Sequence, residues 1–211
     1  MKIAIALFDR FTALDAVGPY QVLLGLPAEV FFIAERRGPI SDDARTLRVE
    51  VPVALDEVTD PDIVVVPGGP GIPVEPGGFH EWLRAADETT AWTTSVCTGS
   101  LALAAAGLLT GRRATSHWTA LDELARLGAK PTGERVVFDG KYATAAGVSS
   151  GIDMALTLAG RIAGDERAQE IQLSIEYDPQ PPYDAGSPAK APAHLVARRR
   201  AQSRFAQATP S

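Results

Sequence analysis

The sequence predicts an α/β protein built on a mostly parallel sheet. Short apolar runs rich in β-branched residues, such as Ile63-Val64-Val65-Val66, alternate along the chain with segments of helical periodicity. Strands separated by helices need crossover connections, which lay the strands parallel. Two strands run straight into glycine-bearing turns, Pro67-Gly68-Gly69 and Cys97-Thr98-Gly99. With 211 residues, 45% of them hydrophobic and 22% charged, the chain can bury a sizeable core. The simplest organisation is a single domain over residues 1–211, with an extended surface segment and a short C-terminal helix from about residue 178.

In chain order, residues 2–7 read as a buried strand and 12–24 as a helix. Residues 30–34 are a second strand. Residues 47–53 form an extended excursion in which Pro52 marks a sheet edge, because proline cannot donate to a ladder. The strand at 63–66 ends at the glycine turn, and 79–87 is helical. The strand at 92–96 is followed by a helix of small residues at 99–106. A short strand at 113–116 leads to a helix at 119–127, opened by Thr119 with Asp122 three residues on, a capping-box arrangement. Residues 135–139 and 141–145 flank Asp139-Gly140, a hairpin signal. Helices follow at 151–162 and 166–175. Asp178-Pro179-Gln180-Pro181-Pro182 cannot continue a helix and reads as extended surface chain. Arg198-Arg199-Arg200 then reads as the solvated face of the last helix.

Composition excludes several function classes. The formal net charge is -6, and no basic cluster of the kind a nucleic-acid groove needs lies in the main body. His80, His117 and His194 lie far apart without paired ligand spacing, so no metal site is expected. No run approaches the roughly 20 apolar residues of a membrane span. The lone cysteine, Cys97, cannot form an intramolecular disulfide and fits a reducing, cytoplasmic setting.

Cys97 is the first candidate for chemistry. A strand that runs into a sharp turn and at once into a helix is the geometry of a nucleophile elbow. The helix start aims backbone N–H groups at the sulfur, which is expected to lower the thiol pKa. The competing reading is a buried, inert cysteine. Asp15, in the first turn of the first helix, lies at the same sheet edge and can donate or accept a proton. Burial near a thiolate would push its pKa up and keep it protonated. Thr12 and Asp15 also fit a capping box. The loop Gly68-Gly69-Pro70-Gly71 either brings backbone donors close to a developing charge or is a plain turn. His117 is either a base for Cys97 or a packing histidine beside Trp118.

Together these residues carry a resemblance to the ThiJ/PfpI superfamily. The matching pieces include Leu14-Asp15-Ala16-Val17-Gly18-Pro19-Tyr20, Val66-Pro67-Gly68-Gly69-Pro70-Gly71, Thr94-Ser95-Val96-Cys97-Thr98-Gly99-Ser100 and Ala114-Thr115-Ser116-His117-Trp118. Gln172-Leu173-Ser174-Ile175-Glu176-Tyr177 and the proline-rich stretch Pro181–Pro188 match as well. Within the superfamily the chain is similar to the isocyanide hydratase branch. The resemblance implies a flavodoxin-like sandwich, a homodimer, and hydration of a small isocyanide to an N-substituted formamide. It implies Cys97 as nucleophile, Asp15 as the acid beside it, and Thr98 as a hydroxyl near the substrate. Gly69 and Pro70 would supply backbone donors by the sulfur, and His117 and Val148 would line the substrate pocket. No cofactor is needed, since a thiol and an acid suffice for the proton transfers. Protease-like members place a histidine where this chain has Thr98, and many glyoxalase-like members a glutamate where it has Asp15. The hydratase branch carries three glycines where this chain has Ala145-Ala146-Gly147-Val148. The alternatives are glyoxalase or deglycase chemistry on reactive carbonyls, the ligand-sensing half of a transcription regulator, and a non-catalytic redox sensor in which Cys97 is oxidised.

Overall fold

A computed structural model describes residues 1–205 of the chain. The first half runs β1 (Lys2–Ala6), α1 (Ala13–Leu23), β2 (Glu29–Ala34), β3 (Gly38–Ser41), β4 (Arg48–Val51), β5 (Val53–Ala54), β6 (Ile63–Val66), α2 (Gly78–Asp87) and β7 (Trp92–Val96). The second half runs α3 (Gly99–Ala105), β8 (Arg113–Ala114), α4 (Leu121–Arg126), β9 (Lys130–Pro131), β10 (Val136–Asp139), β11 (Tyr142–Ala145), α5 (Ser150–Ala163), α6 (Asp165–Ser174) and α7 (Ala193–Ala201).

Seven strands form one sheet in the order β10-β11-β7-β6-β1-β2-β5. All neighbours are parallel except β10 and β11, which pair antiparallel through the Asp139-Gly140 turn. The central strands are apolar on both sides, as sheets covered by helices on both faces require. Ile3, Ile5, Ile63 and Val65 on one face of β1 and β6, and Ala4 and Val64 on the other, are all fully or almost fully buried. Side chains alternate across a strand, and β7 shows the two layers. Val96 meets α5 at Gly151, while Thr93 points the other way and donates to Asp87 at the end of α2 at 2.6 Å. This is the mostly parallel, flavodoxin-like sandwich that the alternation and the resemblance implied.

The strand order fixes where a site can form. From β1 the chain moves outward to β2, then returns across β1 to β6 and on to β7. The loops leaving β1 and β6 therefore diverge and open a crevice at the strands' carboxyl ends, the usual ligand position in open α/β sheets. Asp15 enters it from α1, Gly68 and Gly69 from the loop after β6, and Cys97 from the end of β7.

Several local expectations are corrected. The 47–53 excursion is two strands split at Pro52. β4 forms a hairpin with the unanticipated β3, and β5 joins the edge of the main sheet. The strand expected at 113–116 stops at Ala114, because its short partner β9 ends at Pro131. The Thr119–Asp122 capping box does not form. A 3-10 turn, Trp118–Ala120, precedes α4, and its cap is the His117 ring, which accepts from the Thr119 N–H. Thr12 likewise caps nothing with its side chain and instead donates to Asp43 at 2.8 Å. The arginine run on α7 is not wholly a solvated face, since the Arg200 guanidinium lies 5.7 Å from the centre of the Trp118 ring.

Candidate active site

β7 ends at Val96 and α3 begins at Gly99, so Cys97 and Thr98 make the whole turn. Cys97 has φ 57, in the left-handed region that non-glycine residues avoid. Its surroundings hold it there. Its N–H donates to the carbonyls of Ala145 and Ala146, both at 3.0 Å. Its own carbonyl accepts from the Ser116 hydroxyl at 3.0 Å and the Ser100 hydroxyl at 3.3 Å. Strain that is over-determined in this way is typical of functional turns.

The thiol's proton affinity departs from expectation. Burial, and then the adjacent Asp15, push the Cys97 thiol well above its ordinary value. The Thr98 N–H at the start of α3, and after it the Thr98 hydroxyl, act in the opposite sense and are outweighed. Two neutral donors do not offset the loss of water around a side chain that is 6% exposed. At rest the sulfur is a thiol, and the Thr98 N–H is placed to receive the charge that develops when its proton leaves.

Asp15 is fully buried. Burial raises its pKa to about 8, against the opposing pull of contacts with Cys97 and the Gly68 N–H. Its Oδ2 accepts that N–H at 3.1 Å, whereas Oδ1 has no hydrogen-bond partner. A carboxyl group that accepts a backbone donor on one oxygen carries its proton on the other, so Oδ1–H is the group free to act beside the sulfur.

The glycine loop serves these two residues and not the sulfur directly. The Gly68 N–H goes to Asp15, and the Gly69 N–H goes to the Thr98 hydroxyl at 3.0 Å. Pro70 has no N–H to give. The expected backbone donors at Gly69 and Pro70 are thus absent, one committed and one non-existent. The Thr98 hydroxyl in turn leans on the loop, donating back toward the Gly69 carbonyl at 3.4 Å, and also touches the Cys97 thiol. The loop packs so close that a Cβ on Gly68 would stand 2.5 Å from the Thr98 nitrogen and 2.8 Å from the Cys97 Cβ.

Above the sulfur lies a cavity of about 240 Å³. Gly69, Pro70, Cys97, Thr98, His117 and Val148 all line it, so the sequence-predicted residues converge there, with Asp15 beneath them. The His117 ring accepts the Thr119 N–H on Nδ1 and bonds the Thr119 hydroxyl at 2.8 Å. Nδ1 is therefore the unprotonated nitrogen and Nε2 carries the hydrogen. Burial and then Arg199 depress its pKa, keeping the ring neutral. His117 is a neutral donor in the cavity wall and not a base for Cys97.

Two contributions were not foreseen. Gly147 holds open the space between His117 and Cys97, since a Cβ there would stand 2.5 Å from His117 Cδ2 and 3.1 Å from Cys97 Sγ. The Ala-Ala-Gly departure was visible in the sequence, but its position between two site residues was not. Ser203, Arg204 and Phe205, beyond α7, close one side of the cavity. No sequence signal placed the tail over the site. Among the described residues, no group of three or more His, Cys, Asp or Glu side chains could hold a metal ion, and no helix is long and apolar enough to cross a membrane.

The chain is 41% identical over 206 residues to an isonitrile hydratase of Pseudomonas putida, a match spanning 95% of this chain and 90% of that protein. A ThiJ/PfpI family protein of Pseudomonas syringae, known from a crystal structure, superposes with a TM-score of 0.92 at 34% identity, over 95% of this chain and 85% of that one. A deglycase of Thermococcus kodakarensis is 31% identical over 155 residues, 67% of this chain and 87% of that protein. A family model also matches residues 1–161, and by it and the elbow geometry the chain belongs to the DJ-1/PfpI family.

Proposed function

We propose that the protein is an isocyanide hydratase, adding water to an isocyanide to give an N-substituted formamide. The observation that carries this reading is the Asp15 carboxyl beside the Cys97 thiol, fully buried and with Oδ1 unpartnered, a setting that raises its pKa to about 8 and so favours the protonated form. The terminal carbon of an isocyanide must accept a nucleophile and a proton, and this pair offers both. The similarity to an isonitrile hydratase over 95% of the chain supports the same choice.

The cycle balances with these groups alone. The Cys97 sulfur attacks the isocyanide carbon and forms the C–S bond. The carbon lone pair takes the Asp15 Oδ1 proton, and the thiol proton passes to the carboxylate left behind. The product is a thioimidate, R–N=CH–S–Cys97, with Asp15 protonated again. Water then adds to that carbon and the nitrogen is protonated, with Asp15 relaying the proton. The C–S bond breaks, the formamide leaves and Cys97 recovers its hydrogen. The Thr98 N–H stabilises negative charge on sulfur at both ends of the cycle. His117 Nε2–H is a donor for the polar part of the adduct. The reaction consumes only the isocyanide and water.

We also infer a homodimer. Leu14 and Val17, exposed on α1 at helical spacing, and Leu24 just past its end offer an apolar face for it, and sedimentation measures the assembly.

The test mixes the protein with a neutral alkyl isocyanide and follows formamide by absorbance, with methylglyoxal as the competing reactive carbonyl. The expected result is turnover of the isocyanide that is abolished in Cys97→Ala. Turnover surviving in that variant would sink the mechanism. Turnover of methylglyoxal with none of any isocyanide would sink the function.

A further inference from the structure

The cavity above Cys97 is walled on one side by a cation. Arg204 lines it together with Ser203 and Phe205. Its Nη1 donates to the Pro70 carbonyl at 2.6 Å, which ties the tail to the glycine loop. Its guanidinium lies over the Phe205 ring at 4.5 Å. A guanidinium has five N–H donors, and within the described residues this is the one hydrogen bond it makes.

Burial and then the like charge of Arg10 act against the Arg204 guanidinium, and burial and then Arg199 act against a charge on His117, which lines the same cavity. Among the described residues Arg204 takes part in no ion pair, and neither do Arg10 and Arg199. Asp43 accepts the Thr12 hydroxyl and, among the described residues, forms no ion pair with Arg204. A chain with net charge -6 thus places one guanidinium without an ion pair, that of Arg204, in the wall of its reactive cavity. A neutral alkyl isocyanide gives this charge nothing to bind. A planar carboxylate does, because a guanidinium fork matches it with two parallel hydrogen bonds.

We propose that the substrate is an isocyanide bearing a carboxylate, and that Arg204 determines this specificity by binding the carboxylate at the cavity mouth while the isocyanide carbon meets Cys97. The proposal rests on the hydratase reading and narrows its substrate class. It leaves the chemistry at sulfur unchanged, since the carboxylate takes no part in bond making. It makes Arg204 responsible for KM more than for kcat.

The experiment compares kcat/KM for isocyanoacetate and 3-isocyanopropanoate with that for their methyl esters. The full chain, Arg204→Gln and Arg204→Lys are each measured. In the full chain at least one carboxylate is expected to exceed its ester about tenfold or more, chiefly through KM. Arg204→Gln removes most of that preference and Arg204→Lys keeps part of it. Added salt lowers kcat/KM for the carboxylate and not for the ester, because the encounter of opposite charges is screened. The salt series reads the native chain and does not depend on any variant folding. Equal or better turnover of both esters overturns the proposal while leaving the hydratase reading intact, and so does a preference that Arg204→Gln leaves unchanged. Failure to turn over any of the four compounds or a neutral alkyl isocyanide overturns both.

Discussion

The Gly68 N–H donates to Oδ2 of Asp15 at 3.1 Å and leaves Oδ1 without a partner. One backbone group thereby decides which oxygen of a buried acid carries the proton. The glycine is needed for that contact, because any side chain at position 68 would press on Thr98 and Cys97. The loop after β6 is in this sense part of the acid.

That relationship predicts how stability varies with pH. The Asp15 carboxyl has a pKa of about 8 in the folded chain against an ordinary 3.8. Between these values the folded state holds a proton that the unfolded chain releases, so stability falls as pH rises through the window. The slope contributed by one proton is at most about 1.4 kcal/mol per pH unit. Asp15→Asn removes this dependence. Urea unfolding between about pH 4.5 and 8 should show the variant gaining on the native protein as pH rises. Parallel curves across that window would exclude the raised pKa. Activity follows the same group. In the native protein kcat/KM declines above about pH 8, as Asp15 ionises, and Asp15→Asn loses about a hundredfold or more at its optimum.

The commitments of Thr98 give a second prediction. Its hydroxyl accepts the Gly69 N–H in a buried setting. Thr98→Val keeps the shape and removes the acceptor, leaving that N–H buried without a partner at a cost of about 1–3 kcal/mol. Thr98→Ser keeps the acceptor and should stay close to the native stability. Urea midpoints for the two variants separate the hydroxyl's role in holding the loop from a role in touching substrate. If Thr98→Val is as stable as Thr98→Ser yet loses activity that Thr98→Ser keeps, the hydroxyl serves the substrate and not the loop.

The elements and the elbow were legible in the sequence because each leaves a local mark. Apolar runs mark β1 and β6, β-branched residues mark β7, and Cys97 follows a strand and precedes small residues. The sense of the Cys97 shift was not legible. It depends on how much water reaches the sulfur, which is a property of the assembled crevice. The choice between capping box and acid at Asp15 was undecidable from spacing, because both uses put the same residue in the same helical turn. Fold topology decides it by carrying Gly68 to the carboxyl. The roles of Gly69 and Pro70 were misread for a related reason. A glycine-proline loop advertises close approach but not which neighbour takes its N–H, and the proline has none to offer. Arg204 left no trace, since its partner Pro70 is distant in sequence and belongs to another loop.

Gly147 provides the last prediction. An alanine there would place its Cβ 2.5 Å from His117 Cδ2 and 3.1 Å from Cys97 Sγ. Neither neighbour retreats easily, because His117 is held through Nδ1 by Thr119 and the Cys97 backbone by Ala145 and Ala146. Gly147→Ala is expected to cost about 1–3 kcal/mol through overpacking and to lower kcat by displacing the ring or the sulfur. His117→Ala in the same background removes the tighter of the two clashes. The double variant should therefore recover stability relative to Gly147→Ala alone, giving a coupling of about 0.5–3 kcal/mol between the sites. Activity should not recover with it, since the Nε2–H donor is lost and the crowding of Cys97 persists. Strictly additive stabilities, measured by urea unfolding of all four proteins, would show that the two residues do not compete for the space Gly147 leaves open.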